Sequence, residues 1–104
     1  MQITFEESYL EELYTKGTAQ DKKHRYQPQV VRGYQKALKY LIAANRPEDL
    51  FPIKSLHFEA LHGDKEGRFS VKANDQYRVE FTITQEGEPV VAICNIITLS
   101  NHYK

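Results

Sequence analysis

Three cations in the second half of the chain are the side chains best suited to bind an anion. Arg68, Lys72 and Arg78 alternate with apolar residues in two segments whose pattern repeats every two residues. Arg can donate paired hydrogen bonds to an oxyanion, and Lys supplies a compact positive charge. One interpretation is that these residues form a single polar surface that binds an anion. The alternative is an ordinary solvated sheet face with splayed side chains.

The two segments predict a β-hairpin that brings the cations together. Strands are expected at 68–72 and 77–84, and a three-residue loop at 74–76 is the length that keeps their apolar residues on one face. Lys72 then lies directly opposite Arg78. Because like charges at opposite positions destabilise a sheet, this pairing favours a face reserved for an anion.

The rest of the chain predicts the elements that carry this hairpin. A short strand is expected at Gln2–Phe5, helices at about 6–16 and 29–44, an extended segment near 56–62 and a last strand at 89–98. The helices follow from apolar residues at helical spacing, and the strands from two-residue alternation. Two helices followed by an antiparallel meander make an α+β domain.

The charges of the chain balance, but they are segregated along it. The 104 residues suffice for one small domain and carry 14 Lys and Arg against 14 Asp and Glu. Taken alone, this net charge of zero argues against nucleic-acid binding. Residues 1–14, however, carry −4, residues 15–46 carry +7 and residues 47–66 carry −3. We therefore expect a positive field near residues 16–46.

The composition excludes several classes of protein. Cys94 is the sole cysteine, so the chain forms no intramolecular disulfide and offers no cysteine cluster for zinc. No apolar stretch approaches the roughly 20 residues that span a bilayer, and the first residues lack the apolar core of a signal peptide. We expect a cytoplasmic protein with Cys94 buried in its core.

Several segments, taken in order, resemble a known toxin family. They are LEELYTKG (residues 10–17), LHGDKEGRFSV (61–71) and NDQYRVEF (74–81), followed by a histidine near the C-terminus, His102. Together they resemble the HigB branch of the RelE/ParE superfamily, the toxins of bacterial type II toxin–antitoxin modules. The resemblance spans roughly residues 5–84 and the last few residues.

The resemblance implies a fold, an activity and a set of partners. The fold is a single domain over residues 1–104, with two N-terminal helices packed on a curved antiparallel β-sheet. The activity is ribosome-dependent cleavage of mRNA without a metal or other cofactor, which inhibits translation. The partners are the ribosome, mRNA and a HigA-type helix-turn-helix antitoxin, which can form a hetero-oligomer with the toxin.

Two other functions stay open, because a fold alone does not fix the target. The ParE branch shares the fold and inhibits gyrase, so a ParE-like toxin is the first alternative. The second is a catalytically inactive domain that only binds an antitoxin. The chain also departs from the family in its balanced charge, since these toxins are usually strongly basic.

Metal-free cleavage of RNA by internal attack needs a base for the 2′-OH, a cation near the phosphorane and an acid for the leaving 5′-oxygen. Arg78 and Lys72 are the candidates for stabilising the phosphate, and Arg68 can join them. His102 is the candidate acid or base, because histidine titrates near neutral pH.

The upstream catalytic residue is Glu59 or His57. Glu59 holds the position at which the family often places a histidine, and other members of the superfamily use a Glu as the base. His57 lies two residues earlier on the same strand face. The residues expected to contact RNA or the ribosome are Lys22, Lys23, Arg25, Arg32, Lys36, Arg68 and Tyr103.

Overall fold

Two α-helices pack against a five-stranded sheet in the computed structural model, which describes residues 1–101. In chain order the elements are β1 (Gln2–Phe5), α1 (Ser8–Lys16), α2 (Pro28–Ala43), β2 (Glu59–Ala60), β3 (Phe69–Lys72), β4 (Arg78–Glu86) and β5 (Val91–Ser100). Short 3₁₀ turns lie at Lys22–His24, Pro47–Leu50, Lys54–Leu56 and Gly63–Lys65. The predicted helices and strands are therefore present, and the extended segment near 56–62 contributes only the two residues of β2.

The ends of the helices follow from local chemistry. α1 ends before Gly17, which adopts a left-handed φ of 78° and whose N–H donates to the carbonyl of Leu13. α2 begins at Pro28, whose missing N–H costs nothing in the first turn of a helix. Neither helix, among the residues described, is long and apolar enough to cross a membrane.

The sheet has the strand order β1-β5-β4-β3-β2, and one of its pairings differs from the expected meander. Strands β2 to β5 are antiparallel neighbours, as predicted, but β1 runs parallel to β5. The α+β class is confirmed, and the sheet is mixed. Alternation of apolar residues reports which face of a strand is buried, and it carries no information about strand direction.

The register of the β3–β4 hairpin is the one predicted from the loop length. Lys72 lies opposite Arg78, and Val71 opposite Val79. The three-residue loop is closed by a 2.9 Å hydrogen bond from the N–H of Ala73 to the carbonyl of Tyr77. Inside the loop, the Oδ1 of Asn74 accepts hydrogen bonds from two backbone N–H groups.

A β-bulge in β5 adjusts which of its residues face the core. Glu80 pairs with Thr98, whereas its neighbour Phe81 pairs with Ile96. The extra residue shifts the alternation of β5, so that both Ile96 and Leu99 are buried although they are three residues apart. The bulge lies beside Glu80, in the part of the sheet that carries the candidate site.

α2 packs closely against the β3–β4 hairpin, at Ala73, the residue that follows β3. A Cβ atom added to Gly33 would lie 2.0 Å from the carbonyl oxygen of Ala73, so only glycine fits there. The two helices are joined by a 2.7 Å hydrogen bond from the buried Tyr34 hydroxyl to the carbonyl of Leu10. Cys94 is fully buried in the core between the helices and the sheet, as expected.

Candidate functional site

Arg78, the first residue of β4, lies at one end of the polar face of the sheet, the face that also bears Ser70 and Glu80. Its side chain is only 11% exposed. The Nε atom donates a 2.9 Å hydrogen bond to the Oγ of Ser70, and the Nη2 atom donates to the backbone carbonyl of His57. These contacts fix the plane of the guanidinium group.

Glu59 and His57 both meet Arg78, but through different groups. The Oε1 atom of Glu59 lies 3.6 Å from the Nη2 of Arg78, and this side chain is 55% exposed. β2 positions Glu59 by pairing it with Ser70. His57 has a positive φ of 46°, a strained backbone for a residue with a Cβ, and it offers its carbonyl to Arg78. The structure thus brings an accessible carboxylate next to a fixed cation.

Lys72 is adjacent to Arg78 across the hairpin, and each of these two cations has an acidic partner. The Nζ of Lys72 lies 3.0 Å from the carboxylate of Asp75 in the hairpin loop. Arg78 has Glu59 as its partner. These ion pairs offset the repulsion expected between like charges at opposite positions of a sheet.

Glu80 is a member of this cluster that was not among the predicted site residues. Its side chain is fully buried and accepts hydrogen bonds from the Nζ of Lys65, at 2.7 Å, and from the Nη1 of Arg68, at 3.2 Å. Arg68, predicted to bind RNA, is therefore already engaged by a carboxylate. The signal in the sequence is the two-residue alternation of the predicted strands, which places Glu80 on the same face of the sheet as Arg68 and Arg78.

The polar face is therefore a nearly balanced cluster of charges. Within residues 1–101, its ion-paired cations are Lys65, Arg68, Lys72 and Arg78, and their carboxylate partners are Glu59, Asp75 and Glu80. The formal net charge of these seven groups is +1. The net electric field on an incoming anion is therefore weak. The anion is stabilised chiefly by side chains of the cluster that are already held in position.

The predicted basic segment is displayed at the surface. Lys22, Lys23, Arg25, Arg32 and Lys36 are all exposed, the first two in a 3₁₀ turn and the last two on α2.

A local contact network supports the turn that carries Lys22 and Lys23. The imidazole of His24 stacks on the ring of Tyr9, with centroids 3.5 Å apart, and bonds to the carboxylate of Asp21 at 2.9 Å. The hydrogen bond from His24 holds the pKa of Asp21 below its usual value. Lys22 and Lys23 therefore lie on a turn that is held by the contacts of His24 with Tyr9 and Asp21.

His102 and Tyr103 lie outside the residues that the structure describes, so their roles stay predictions. The last residue of β5, Ser100, pairs with Arg78. Among residues 1–101, no group of His, Cys, Asp and Glu is arranged so that it could hold a metal ion.

Comparison with solved structures defines the class of protein to which this fold belongs. A YoeB/ParE toxin from Agrobacterium tumefaciens matches with a TM-score of 0.55 over 99% of this chain and 100% of that chain, at 16% sequence identity. At this identity the likeness shows the fold, which is that of the RelE/ParE-like toxins. A search of curated proteins gave no match.

The sequence itself gives the particular family. The family described as HigB-like toxin, a RelE-like toxin of the type II toxin–antitoxin system HigB, matches residues 3–93. The chain belongs to this family, and the predicted resemblance is confirmed. It is a type II toxin of the RelE/HigB family, which implies an antitoxin as its partner.

Proposed function

We propose that this toxin is a metal-independent endoribonuclease that cleaves mRNA on the ribosome. The observation that carries the proposal is the accessible carboxylate of Glu59 beside the fixed guanidinium of Arg78, with 3.6 Å between their charged atoms. A base and a cation held this close can act on one phosphodiester.

The reaction begins with Glu59 taking the proton of a ribose 2′-OH. The 2′-oxygen then bonds to the adjacent phosphorus, and the negative charge that develops on the phosphorane is stabilised by Arg78 and Lys72. The bond from phosphorus to the 5′-oxygen breaks, and His102 supplies the proton for this leaving group. The products are a 2′,3′-cyclic phosphate and a 5′-hydroxyl end.

Glu59 is favoured over His57 as the base. The contact of His57 with Arg78 is made by its backbone carbonyl. Glu59, in contrast, places an exposed carboxylate next to the guanidinium group. His57 is therefore proposed to position Arg78 through its backbone. Arg68 contributes to the field at the phosphate while it remains bound to Glu80.

The exposed basic segment supplies the contacts to the ribosome in this proposal. Lys22, Lys23, Arg25 and Arg32 meet the phosphate backbone of ribosomal RNA, which gives affinity without sequence readout, and Lys36, further along α2, contacts RNA closer to the site of cleavage. Tyr103 is proposed to stack on a base, as aromatic side chains do on single-stranded RNA. The proposed antitoxin is of the HigA type.

The proposal is tested by expressing the chain in bacteria and mapping the 5′ ends of cellular mRNA. Growth arrest with new 5′ ends in translated mRNA is expected for the wild type, and neither is expected for Glu59→Gln. Glu86→Gln, which changes an exposed glutamate at the far end of β4, is the matched control and should behave as the wild type.

The other outcomes of the same experiment separate the alternatives. Growth arrest without new mRNA ends, unchanged in Glu59→Gln, would overturn the proposal in favour of gyrase inhibition. No arrest at all would favour an inactive antitoxin-binding domain.

A further inference from the structure

We infer that a cleft between α2 and the outer edge of β3 binds a second phosphate group of the RNA. This inference rests on the proposed cleavage of RNA, and it names where the substrate is held beside the point of cleavage. The cleft has a volume of about 110 Å³, and the polar residues that line it are Lys36, Tyr40, Ser55 and Lys72.

The lining residues have the chemistry of an anion site. Two lysines supply positive charge, while a tyrosine and a serine are hydrogen-bond donors. Among residues 1–101, none of those that line the cleft is an aspartate or a glutamate. A phosphate is therefore attracted to the two lysines of the cleft.

The cleft is small. Its volume of about 110 Å³ is enough for several waters, and therefore for a phosphate group. Gly33 and Ala37 also line the cleft, and the missing side chain of Gly33 lets α2 approach the carbonyl of Ala73 closely. The cleft is thus a consequence of the glycine contact that sets the distance between α2 and the hairpin.

The cleft is adjacent to the proposed site of cleavage. Lys72 lies directly opposite Arg78 on the neighbouring strand, at the spacing of about 4.8 Å between paired strands. Ser55 lies two residues before His57, whose carbonyl binds Arg78. Lys72 and the segment 55–57 therefore connect the cleft with Arg78, and in this proposal the two phosphates belong to one RNA strand.

Asp75 is the competitor that such a phosphate must displace. Its carboxylate lies 3.0 Å from the Nζ of Lys72 and is 96% exposed. Exposed ion pairs are weak, so a phosphate that meets two lysines replaces this carboxylate at little cost. The pair keeps Lys72 oriented when no RNA is bound.

The first test is a titration of the purified toxin with inorganic phosphate at low salt, followed by backbone amide NMR shifts. We expect the amides of Lys36, Ser55 and Ala73 to respond. Lys36→Ala should weaken binding at least about fivefold, and Asp75→Asn should strengthen it about twofold. Lys39→Ala, an exposed lysine of the same helix outside the cleft, should leave the dissociation constant unchanged. Equal effects of Lys36→Ala and Lys39→Ala would overturn the inference.

The second test repeats the titration with a short single-stranded RNA, which separates RNA from free phosphate as the ligand. The same amides should respond, and Lys36→Ala should reduce the slope of log affinity against log salt by about one. A response to inorganic phosphate alone would overturn the assignment to RNA.

These outcomes are distinct from those that test cleavage itself. A wild-type toxin that cuts no mRNA yet binds RNA in the cleft would contradict the proposed function. A toxin that cuts mRNA while Lys36→Ala and Lys39→Ala bind RNA alike would contradict only the cleft.

Discussion

Two charged residues of the polar face, Arg78 and Glu80, have different tasks. Arg78 is held by Ser70 and His57 and lies beside the exposed carboxylate of Glu59. Glu80 is fully buried and ties Lys65, in the turn before β3, and Arg68 to the sheet. Arg78 is therefore suited to act on a substrate, and Glu80 is suited to hold the surrounding segment in place.

Removal of Glu80 is expected to destabilise the fold. Glu80→Ala leaves Lys65 and Arg68 without their shared carboxylate and opens a cavity, which should lower the free energy of unfolding by about 2–3 kcal/mol. Asp75→Ala removes the exposed partner of Lys72 and should change stability little. Urea unfolding of both variants measures the difference, and equal stabilities would contradict the role of Glu80.

Cys94 is expected to make the folded protein less stable as the pH becomes alkaline. Burial raises the pKa of its thiol to about 11, from an ordinary value of 9.0. Between these values the unfolded chain releases a proton that the folded chain keeps, so the stabilising contribution is complete below pH 9 and is lost as the pH rises to 11.

The measurement is urea unfolding at pH 8 and pH 10. The wild type should lose about 1 kcal/mol more between these two pH values than Cys94→Ala, which lacks the thiol. The same loss in both proteins would show that Cys94 does not titrate as described.

At the scale of elements, the close packing of α2 against the β3–β4 hairpin positions the site. This hairpin carries Lys72 and Arg78 at opposite positions, and its loop meets α2 at Gly33. β2 and the segment before it then complete the site by bringing Glu59 and the carbonyl of His57, respectively, to Arg78.

Gly33→Ala is expected to destabilise the protein, against the usual trend for a helix. Alanine normally favours a helix over glycine by about 1 kcal/mol, but here its Cβ would collide with the carbonyl of Ala73. The shift of α2 should cost about 2–3 kcal/mol, as overpacking does. Thermal unfolding against Arg32→Ala, an exposed position of the same helix, measures it. A stabilised Gly33→Ala variant would contradict the close approach.

The parts of this arrangement that the sequence predicts are those set by local rules. The parity of apolar residues fixes the loop at 74–76 and thus the pairing of Lys72 with Arg78. The parallel direction of β1 depends on where the chain returns after two helices, and no local pattern encodes it. The burial of Glu80 by Lys65 and Arg68 depends on how the preceding turn folds over the sheet. For the same reason the prediction that Arg68 contacts RNA did not include its ion pair with Glu80.

At the scale of the whole molecule, the balanced charge has a structural counterpart. The cations of the polar face are paired with acids, whereas those of residues 22–36 are exposed. A neutral toxin should therefore bind the ribosome with a shallower dependence on salt than a strongly basic relative. In the proposed function, the net charge of the chain limits how strongly it binds the ribosome, and the exposed cations of residues 22–36 mark the surface that makes the contact.

Substitution of the exposed lysines should weaken ribosome binding without affecting the fold. The double variant Lys22→Ala, Lys23→Ala removes two contacts to phosphates and should lower the salt slope by about two. Lys54→Ala, an exposed lysine outside the basic segment, serves as the control and should bind as the wild type. Co-sedimentation with ribosomes over a series of salt concentrations measures the slopes, and equal slopes would place the contact elsewhere.

The proposed cleavage is tested most directly with purified components. The toxin is mixed with ribosomes programmed with a defined mRNA, and the ends of the products are identified chemically. We predict cleavage of ribosome-bound mRNA that leaves a 2′,3′-cyclic phosphate and a 5′-hydroxyl, with the rate reduced by at least about 100-fold in Glu59→Gln. Intact mRNA in the presence of excess wild-type toxin, or equal rates for the wild type and Glu59→Gln, would contradict the account.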